Sequence, residues 1–214
     1  MATIYKRMSS VNVVLKRWNK PLESLHHGTT VAQIGTVSRF TFIGEDLNNV
    51  KWFRSILPTG YYDRVPNSPS AFRKWEALKP THIVSLLPST ELNKKAGTKP
   101  LIYWTSLRKI APDAELLTFP MDKSMLLAKH WFLKLSETLD ALLNSVTDSS
   151  RVIVHCSAGI GRTGFFLGAL MIQLGLDVEC VVSNLEKNMK EPVQPIKLRA
   201  LRSYHRWREK SFYP

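Results

Sequence analysis

The hydrophobic and polar positions along this chain fall into two alternating kinds of segment. Short apolar runs, partly β-branched and bounded by turn residues, predict buried strands at about 38–43, 82–87, 116–119 and 152–155. Longer segments with apolar residues at three- to four-residue spacing predict helices at about 70–78, 125–146, 164–174, 178–189 and 196–210. Turn-rich stretches at 57–70, 88–100 and 147–151 separate these elements. Because strands alternate with helices, we expect an α/β fold with a central, mainly parallel twisted sheet flanked by helices on both faces.

The length and composition fit one ordinary globular domain. The chain has 214 residues, of which 44% are hydrophobic, and this is enough for one core. We expect residues 35–214 to form this domain and residues 1–34 to form a basic N-terminal extension. No apolar run approaches the roughly 18 residues that span a bilayer, and the N-terminus lacks the apolar stretch of a secretory signal.

The cysteine content points to a reducing compartment. The two cysteines, Cys156 and Cys180, are too few for a disulfide framework and have no zinc-ligand spacing. We therefore expect a cytoplasmic protein. The first 20 residues carry five basic and no acidic side chains, so delivery to another compartment or to a host cell stays open. A regulatory disulfide between the two cysteines also stays open.

The charge of the chain predicts an anionic partner. The formal net charge is +13, and residues 187–210 hold eight basic side chains against two acidic ones. A solvated helix face is one interpretation of this segment. The other is a surface that contacts phosphorylated protein, an anionic membrane or RNA.

One segment, VIVHCSAGIGRTGF at 152–165, carries the chemistry of a phosphate site. If a strand ends before Cys156 and a helix begins near Gly161, the successive N–H groups of the loop can all turn toward one oxyanion. Gly159 and Gly161 permit the backbone angles that this requires, and Arg162 can bind two phosphate oxygens with its planar fork. The predicted phosphate-binding residues are Ser157, Ala158, Gly159, Ile160, Gly161 and Arg162.

The same positive field favours the thiolate of Cys156 and makes it a nucleophile. Thr163, beside the helix start, is placed to donate a hydrogen bond to the sulfur as it leaves in a second step. His155 precedes the cysteine on the strand and points away from the pocket, so we expect it to support the loop rather than to act as a base.

The ten residues HCSAGIGRTG match the signature H-C-x-x-G-x-x-R-S/T-G, and on this segment the chain resembles the cysteine-dependent protein tyrosine phosphatases. The resemblance implies a general acid some thirty to forty residues earlier on a mobile loop. Asp122 lies 34 residues before Cys156 in the sequence FPMD and is the predicted acid. Because the tryptophan of the tyrosine-specific members is absent there, the chain looks most like the small dual-specificity phosphatases. Asp113, 43 residues before Cys156, is the fallback.

The resemblance further implies that Gln194 positions the hydrolytic water and that the reaction needs no metal or cofactor. The expected function is hydrolysis of phosphotyrosine in proteins, with phosphoserine and phosphothreonine as further substrates, through a cysteinyl-phosphate. Three alternatives stay open. They are a phosphoinositide or inositol phosphate phosphatase, an RNA 5′-triphosphatase of the same fold, and a pseudophosphatase that binds phosphorylated partners.

Overall fold

A computed structural model describes residues 41–45, 50–58, 71–96, 100–122, 128–189 and 192–212 of the chain. These residues contain five strands, which are β1 Thr41–Glu45, β2 Lys51–Ser55, β3 His82–Ser85, β4 Glu115–Thr118 and β5 Arg151–His155. They also contain seven helices, which are α1 Ala71–Leu78, α2 Ser89–Ala96, α3 Pro100–Ile110, α4 His130–Ser145, α5 Gly161–Gln173, α6 Val178–Met189 and α7 Pro195–Phe212.

The strands form one sheet in the order β1-β2-β5-β3-β4. The four strands β2, β5, β3 and β4 are parallel, and β1 pairs antiparallel with β2 at one edge. Val152, Ile153 and Val154 of the central strand β5 are all fully buried. Because successive side chains of a strand point to opposite faces, this burial means that both faces of the sheet are covered. The predicted mainly parallel α/β fold is confirmed.

Several elements differ from the prediction, each for an identifiable reason. The strand β2 was missed because Lys51 and Arg54 interrupt its apolar run, although Arg54 is itself buried. The stretch predicted as a turn at 88–100 holds α2 and the start of α3 instead, since Pro100 is compatible with the first position of a helix. The predicted extension at 1–34 and the start of the first predicted strand at 38–40 lie outside the described residues. Residues 125–127 of the long helix predicted at 125–146 also lie outside the described residues, whereas residues 128 and 129 are described but precede the helix, which begins at His130.

The carboxyl ends of the parallel strands gather backbone groups at one edge of the sheet. The N–H of Leu57, just after β2, donates to the carbonyl of Ser157 at 3.0 Å, and the N–H of Leu86, just after β3, donates to that of His155 at 2.9 Å. The N–H of Met121 donates to the carbonyl of Leu86 at 3.1 Å, which brings the segment after β4 to the same edge. This is the edge at which open α/β sheets bind their ligands.

The last three helices, α5, α6 and α7, each have one end near this edge of the sheet. A methyl group on Gly164, in the first turn of α5, would lie 3.4 Å from the side chain of Met189 at the end of α6 and 3.8 Å from Nζ of Lys197 at the start of α7. At the other end of α5, the carbonyl of Ile172 accepts a hydrogen bond from Nη1 of Arg208 at 3.0 Å. Helices α5 and α7 therefore both lead away from the edge, and α6 returns to it. None of the helices within the described ranges is both long and apolar enough to cross a membrane.

Candidate active site

The loop from Cys156 to Ile160 joins β5 to α5 at this edge of the sheet. Cys156 has a free thiol and is only 2% exposed. Gly159 has a φ of 70°, and a Cβ atom there would lie 2.8 Å from the carbonyl oxygen of Ser55 on β2. A side chain at this position would therefore meet both backbone strain and a steric clash, so a glycine lets the loop lie close against β2.

The start of α5 supplies the donors that the sequence predicted. The first backbone hydrogen bond of α5 runs from the N–H of Gly164 to the carbonyl of Ile160 at 3.0 Å. The N–H groups of Gly161, Arg162 and Thr163 come before this bond, where a helix has no partners of its own for them. The positive end of the helix macrodipole lies at the same point. Of the predicted cradle residues, Ser157 and Gly159 are buried, whereas Ala158, Ile160 and Gly161 are partly exposed.

Arg162 connects three parts of the site. Its Nη1 donates to Oε2 of Glu91 at 2.6 Å and its Nη2 donates to Oε1 at 2.8 Å, so the pair is bidentate. Nη1 also donates to the backbone carbonyl of Met121 at 3.0 Å. Burial alone would lower the pKa of Arg162, but the hydrogen bonds to Glu91 and the neighbouring charges of Cys156 and Glu91 outweigh burial and raise the pKa. The guanidinium is therefore fixed and charged beside the cysteine.

Glu91 is a site residue that sequence reasoning missed. It lies in the first turn of α2, within the stretch for which the sequence predicts a turn. The order Pro, Ser, Thr, Glu at 88–91 is a signal for the start of a helix and could have located α2. No spacing rule could have placed Glu91 opposite Arg162, which lies 71 residues later in the chain.

Asp122, the predicted acid, is exposed and follows Met121 directly. It is therefore one residue away from the carbonyl that Arg162 binds. The hydrogen bond from the N–H of Met121 to Leu86 holds this segment to the end of β3. The five residues that follow, 123–127, lie outside the described part of the chain.

The structure does not bring the fallback acid to the site. Asp113 lies in the exposed turn before β4. The amino ends of the parallel strands lie at the edge of the sheet opposite Cys156, about 15 Å away along a five-residue strand. Of the two candidate acids, only Asp122 lies at the same edge of the sheet as Cys156.

His155 is completely buried behind the loop. Its Nε2 and the hydroxyl of Tyr103 form a hydrogen bond of 2.6 Å, and its ring centroid lies 5.3 Å from that of Trp75. Burial lowers the pKa of His155 to about 3, the backbone of Cys156 opposes this shift, and the charge of Arg162 adds to it. Burial also raises the pKa of Tyr103 well above its ordinary value. Both groups are therefore neutral, and His155 lies where a supporting residue was predicted.

Thr163 and Gln194 lie at two different depths of the site. Thr163 is fully buried, and its Oγ1 has no hydrogen-bond partner in the described ranges, so the predicted bond to the cysteine sulfur is not formed in this conformation. Gln194 is exposed, and its carbonyl begins α7 by accepting hydrogen bonds from the N–H groups of Lys197 at 2.9 Å and Leu198 at 3.1 Å. Because Lys197 packs against the first turn of α5, Gln194 lies at the rim of the site.

Arg54 is a second residue that the sequence did not reveal. It is 4% exposed on β2, and its Nη1 donates to the carbonyl of Gly159 at 3.4 Å. Its Nη2 donates to the carbonyl of Met189, at the end of α6, at 3.1 Å. Arg54 therefore supports the outer side of the loop and links it to a neighbouring helix.

The second cysteine is remote from the first. Cys180 lies in the first turn of α6, which begins after α5 has run about 20 Å away from the Cys156 loop. A disulfide needs Cα atoms within about 7 Å, so the two cysteines cannot be joined in this fold. A hydrogen bond to Asp177 is the main cause that raises the pKa of Cys180. No group of three or more His, Cys, Asp or Glu residues that could hold a metal ion occurs within the ranges described above.

Comparisons with known proteins agree with this geometry. The family model described as "Swiss Army Knife protein, DSP-PTPase phosphatase domain" matches residues 77–211, which is more than half of the chain. A search of curated proteins found no match. Among solved structures, the chain is similar to kinase-associated phosphatase with serine in place of its catalytic-site cysteine, with 14% identity and a TM-score of 0.59 over 84% of this chain and 98% of that one.

Two further structures share the fold. Tk-PTP in its active form has 18% identity and a TM-score of 0.52, covering 78% of this chain and 97% of that one. PTPMT1 has 17% identity and a TM-score of 0.50, covering 78% of this chain and 94% of that one. At these identities the likeness shows the fold alone, whereas the family model shows the family. The chain therefore belongs to the DSP-PTPase phosphatase domains of the Swiss Army Knife proteins, within the cysteine-dependent tyrosine and dual-specificity phosphatase superfamily.

Proposed function

We propose that this phosphatase acts on phosphorylated proteins, hydrolysing phosphotyrosine and also phosphoserine and phosphothreonine through a cysteinyl-phosphate on Cys156. The observation that carries the proposal is the position of Arg162. One guanidinium lies beside the cysteine and is bound by Glu91 and by the carbonyl that precedes Asp122. Nucleophile, anion-binding group and acid are thus linked at one edge of the sheet.

In the first step, the thiolate of Cys156 attacks phosphorus and the bond from phosphorus to the leaving oxygen breaks. Asp122 gives its proton to that oxygen, which leaves as tyrosine or as serine or threonine. The N–H groups of the loop and the fork of Arg162 bind the other three oxygens. Because these donors are fixed before the reaction, they stabilise the transition state without reorganising.

In the second step, the carboxylate of Asp122 takes a proton from a water molecule that Gln194 orients. The water oxygen attacks phosphorus, the bond from sulfur to phosphorus breaks, and inorganic phosphate leaves. The hydroxyl of Thr163 donates to the departing sulfur of Cys156, and this use would give its buried Oγ1 a partner. The thiolate is then restored for the next cycle.

Protein is favoured over phosphoinositide or RNA because of the loop side chains. The residues between Cys156 and Arg162 are SAGIG and carry no basic group that could meet additional phosphates. A thiolate nucleophile also has to stay reduced, so we propose a reducing compartment such as the cytoplasm.

The test is hydrolysis, without added metal, of phosphotyrosine, phosphoserine and phosphothreonine peptides, a phosphoinositide and a triphosphate-ended RNA. We expect peptide turnover that Cys156→Ser abolishes and that Asp122→Asn lowers on the order of a hundredfold. The matched control is Asp113→Asn, which removes an exposed carboxylate at the opposite edge and should retain full activity. A preference for lipid or RNA would contradict the proposed substrate, and peptide binding without any turnover would make the protein a pseudophosphatase.

A further inference from the structure

An open groove runs along the surface between the start of α6 and the exposed side of α7. Its volume is about 670 Å³, and the residues that line it reach from Pro195 to Arg206 on α7. This part of α7 is about 16 Å long. Pro195 is adjacent to Gln194, so the groove begins at the rim of the site and leads away from it.

Three exposed arginines form a row along the groove. Arg199, Arg202 and Arg206 all line it, and their spacing of three and four residues places them on one face of the helix. We call this feature the arginine groove.

The carboxylates of the arginine groove do not neutralise the row. Asp177 is engaged at the start of α6, where its Oδ1 accepts the N–H of Cys180 at 2.8 Å. Glu179 makes only a long, exposed ion pair of 3.7 Å with Arg202. No carboxylate pairs with Arg199 or Arg206 within the described ranges, so the groove keeps a positive surface on a chain whose net charge is +13.

We propose that the arginine groove binds an acidic segment of the phosphorylated protein, next to the residue that enters the Cys156 loop. This inference rests on the proposed function and adds a docking preference to it. Carboxylates of the bound segment would pair with Arg199, Arg202 and Arg206, because a guanidinium fork fits a carboxylate. The groove then selects substrates by sequence at a distance from the reacting phosphate.

The spacing of the arginines defines the segment. Arg199 and Arg206 are about 10 Å apart along the helix axis, and an extended peptide advances about 3.3 Å per residue. Three to four residues therefore cover the row. We expect a cluster of acidic residues within such a short stretch, rather than acidic residues scattered along the substrate.

The experiment compares kcat/KM for phosphotyrosine peptides that carry four glutamates on one side of the phosphotyrosine with peptides that carry glutamines there. Both the N-terminal and the C-terminal side are tried, since either chain direction fits the groove. The groove variant is Arg199→Gln, Arg202→Gln and Arg206→Gln together. The matched control removes three positive charges at the amino ends of β2, β3 and β4, at the opposite edge of the sheet, with Lys51→Gln, Lys79→Gln and Lys109→Gln.

For the native protein we expect one acidic peptide to exceed its glutamine counterpart on the order of tenfold in kcat/KM, because each of three exposed pairs contributes modestly. The preference should shrink at high salt, disappear in the groove variant and persist in the control variant. A charge exchange gives a second measurement. Arg199→Glu, Arg202→Glu and Arg206→Glu together should reverse the preference toward a peptide with lysines in place of the glutamates.

Several results would overturn the inference. Equal turnover of acidic and neutral peptides by the native protein would leave the proposed function intact and remove the docking role. A groove variant that slows para-nitrophenyl phosphate, which is too small to reach the groove, as much as it slows the acidic peptide would indicate damage to the site. Loss of RNA or anionic vesicle binding in the groove variant, with an unchanged peptide preference, would assign the groove to another partner. If no phosphopeptide is hydrolysed at all, the proposed function itself is wrong.

Discussion

Replacement of Glu91 by glutamine tests the central contact of the site. Glu91→Gln keeps the size of the side chain but removes its charge and exchanges one carboxylate oxygen for an NH₂ group. That group cannot accept a hydrogen bond from Arg162, so one of the two bonds of 2.6 and 2.8 Å is lost. Arg162 keeps its bond of 3.0 Å to the carbonyl of Met121 and stays near the loop.

The expected magnitude follows from the number and type of bonds lost. A hydrogen bond to a charged group contributes about 1.5–3 kcal/mol. Because Glu91 is 21% exposed, water replaces part of the interaction, and we take a value in the lower half of that range. A loss of about 2 kcal/mol in transition-state binding corresponds to a roughly thirtyfold lower kcat/KM.

The assay measures kcat/KM for para-nitrophenyl phosphate together with the inhibition constant of vanadate, since both report how Arg162 holds an oxyanion. Glu76→Gln, which changes an exposed acid on α1, is the control and should change neither quantity. In an Arg162→Met background the effect of Glu91→Gln should largely vanish, because the two residues act through one contact. If Glu91→Gln lowers thermal stability but leaves kcat/KM within threefold of the native value, Arg162 does not depend on Glu91 and the reasoning fails.

Three further changes have defined outcomes. Gly159→Ala should lower the free energy of unfolding by about 2 kcal/mol or more, because residue 159 has a φ of 70° and a Cβ there would lie 2.8 Å from the carbonyl oxygen of Ser55. Gly161→Ala is the control and should change the free energy of unfolding by less than about 0.5 kcal/mol, because a Cβ there meets no atom within 4 Å. Chemical denaturation of the two variants measures the difference. The pKa of His155 is about 3 in the folded protein and 6.5 ordinarily, so its contribution is fully present above pH 6.5 and is lost as the pH falls toward 3. Between pH 7 and pH 5 this amounts to about 2 kcal/mol, and unfolding curves of His155→Asn should lack this part of the pH dependence. Arg54→Met should weaken vanadate binding at least tenfold, measured by inhibition, because the carbonyl of Gly159 loses its donor; unchanged binding would refute a supporting role.

The chemistry of the Cys156 loop could be predicted from sequence because it is contained in ten consecutive residues. A strand, a tight glycine turn and a helix start are local structures, so their side chains and backbone donors point to one place without help from distant parts of the chain. Asp122 was predicted for a different reason, since the family resemblance implies an acid some thirty to forty residues before the cysteine. The segment with Asp122 follows a parallel strand, and the carboxyl ends of parallel strands meet at one edge.

The contacts that hold the loop could not be predicted in this way. Glu91, Tyr103 and Arg54 lie 71, 52 and 105 residues from their partners, and only the folded topology brings them together. Local signals also pointed in the wrong direction. Arg54 made its own strand look like a surface segment, and the prolines that flank α2 were interpreted as turn residues, although proline is also common where a helix begins.

These long-range contacts explain how the loop can present its donors to a phosphate. If the N–H groups of a tight loop point inward, its carbonyls point outward and need partners of their own. The carbonyls of Ser157, Gly159 and Ile160 have such partners, which are the N–H of Leu57, the guanidinium of Arg54 and the first turn of α5. Each partner belongs to a strand end or a helix, so the outer side of the loop is fixed by rigid elements. The inner donors are then held in place before substrate arrives, and the free energy of phosphate binding is not spent on ordering them.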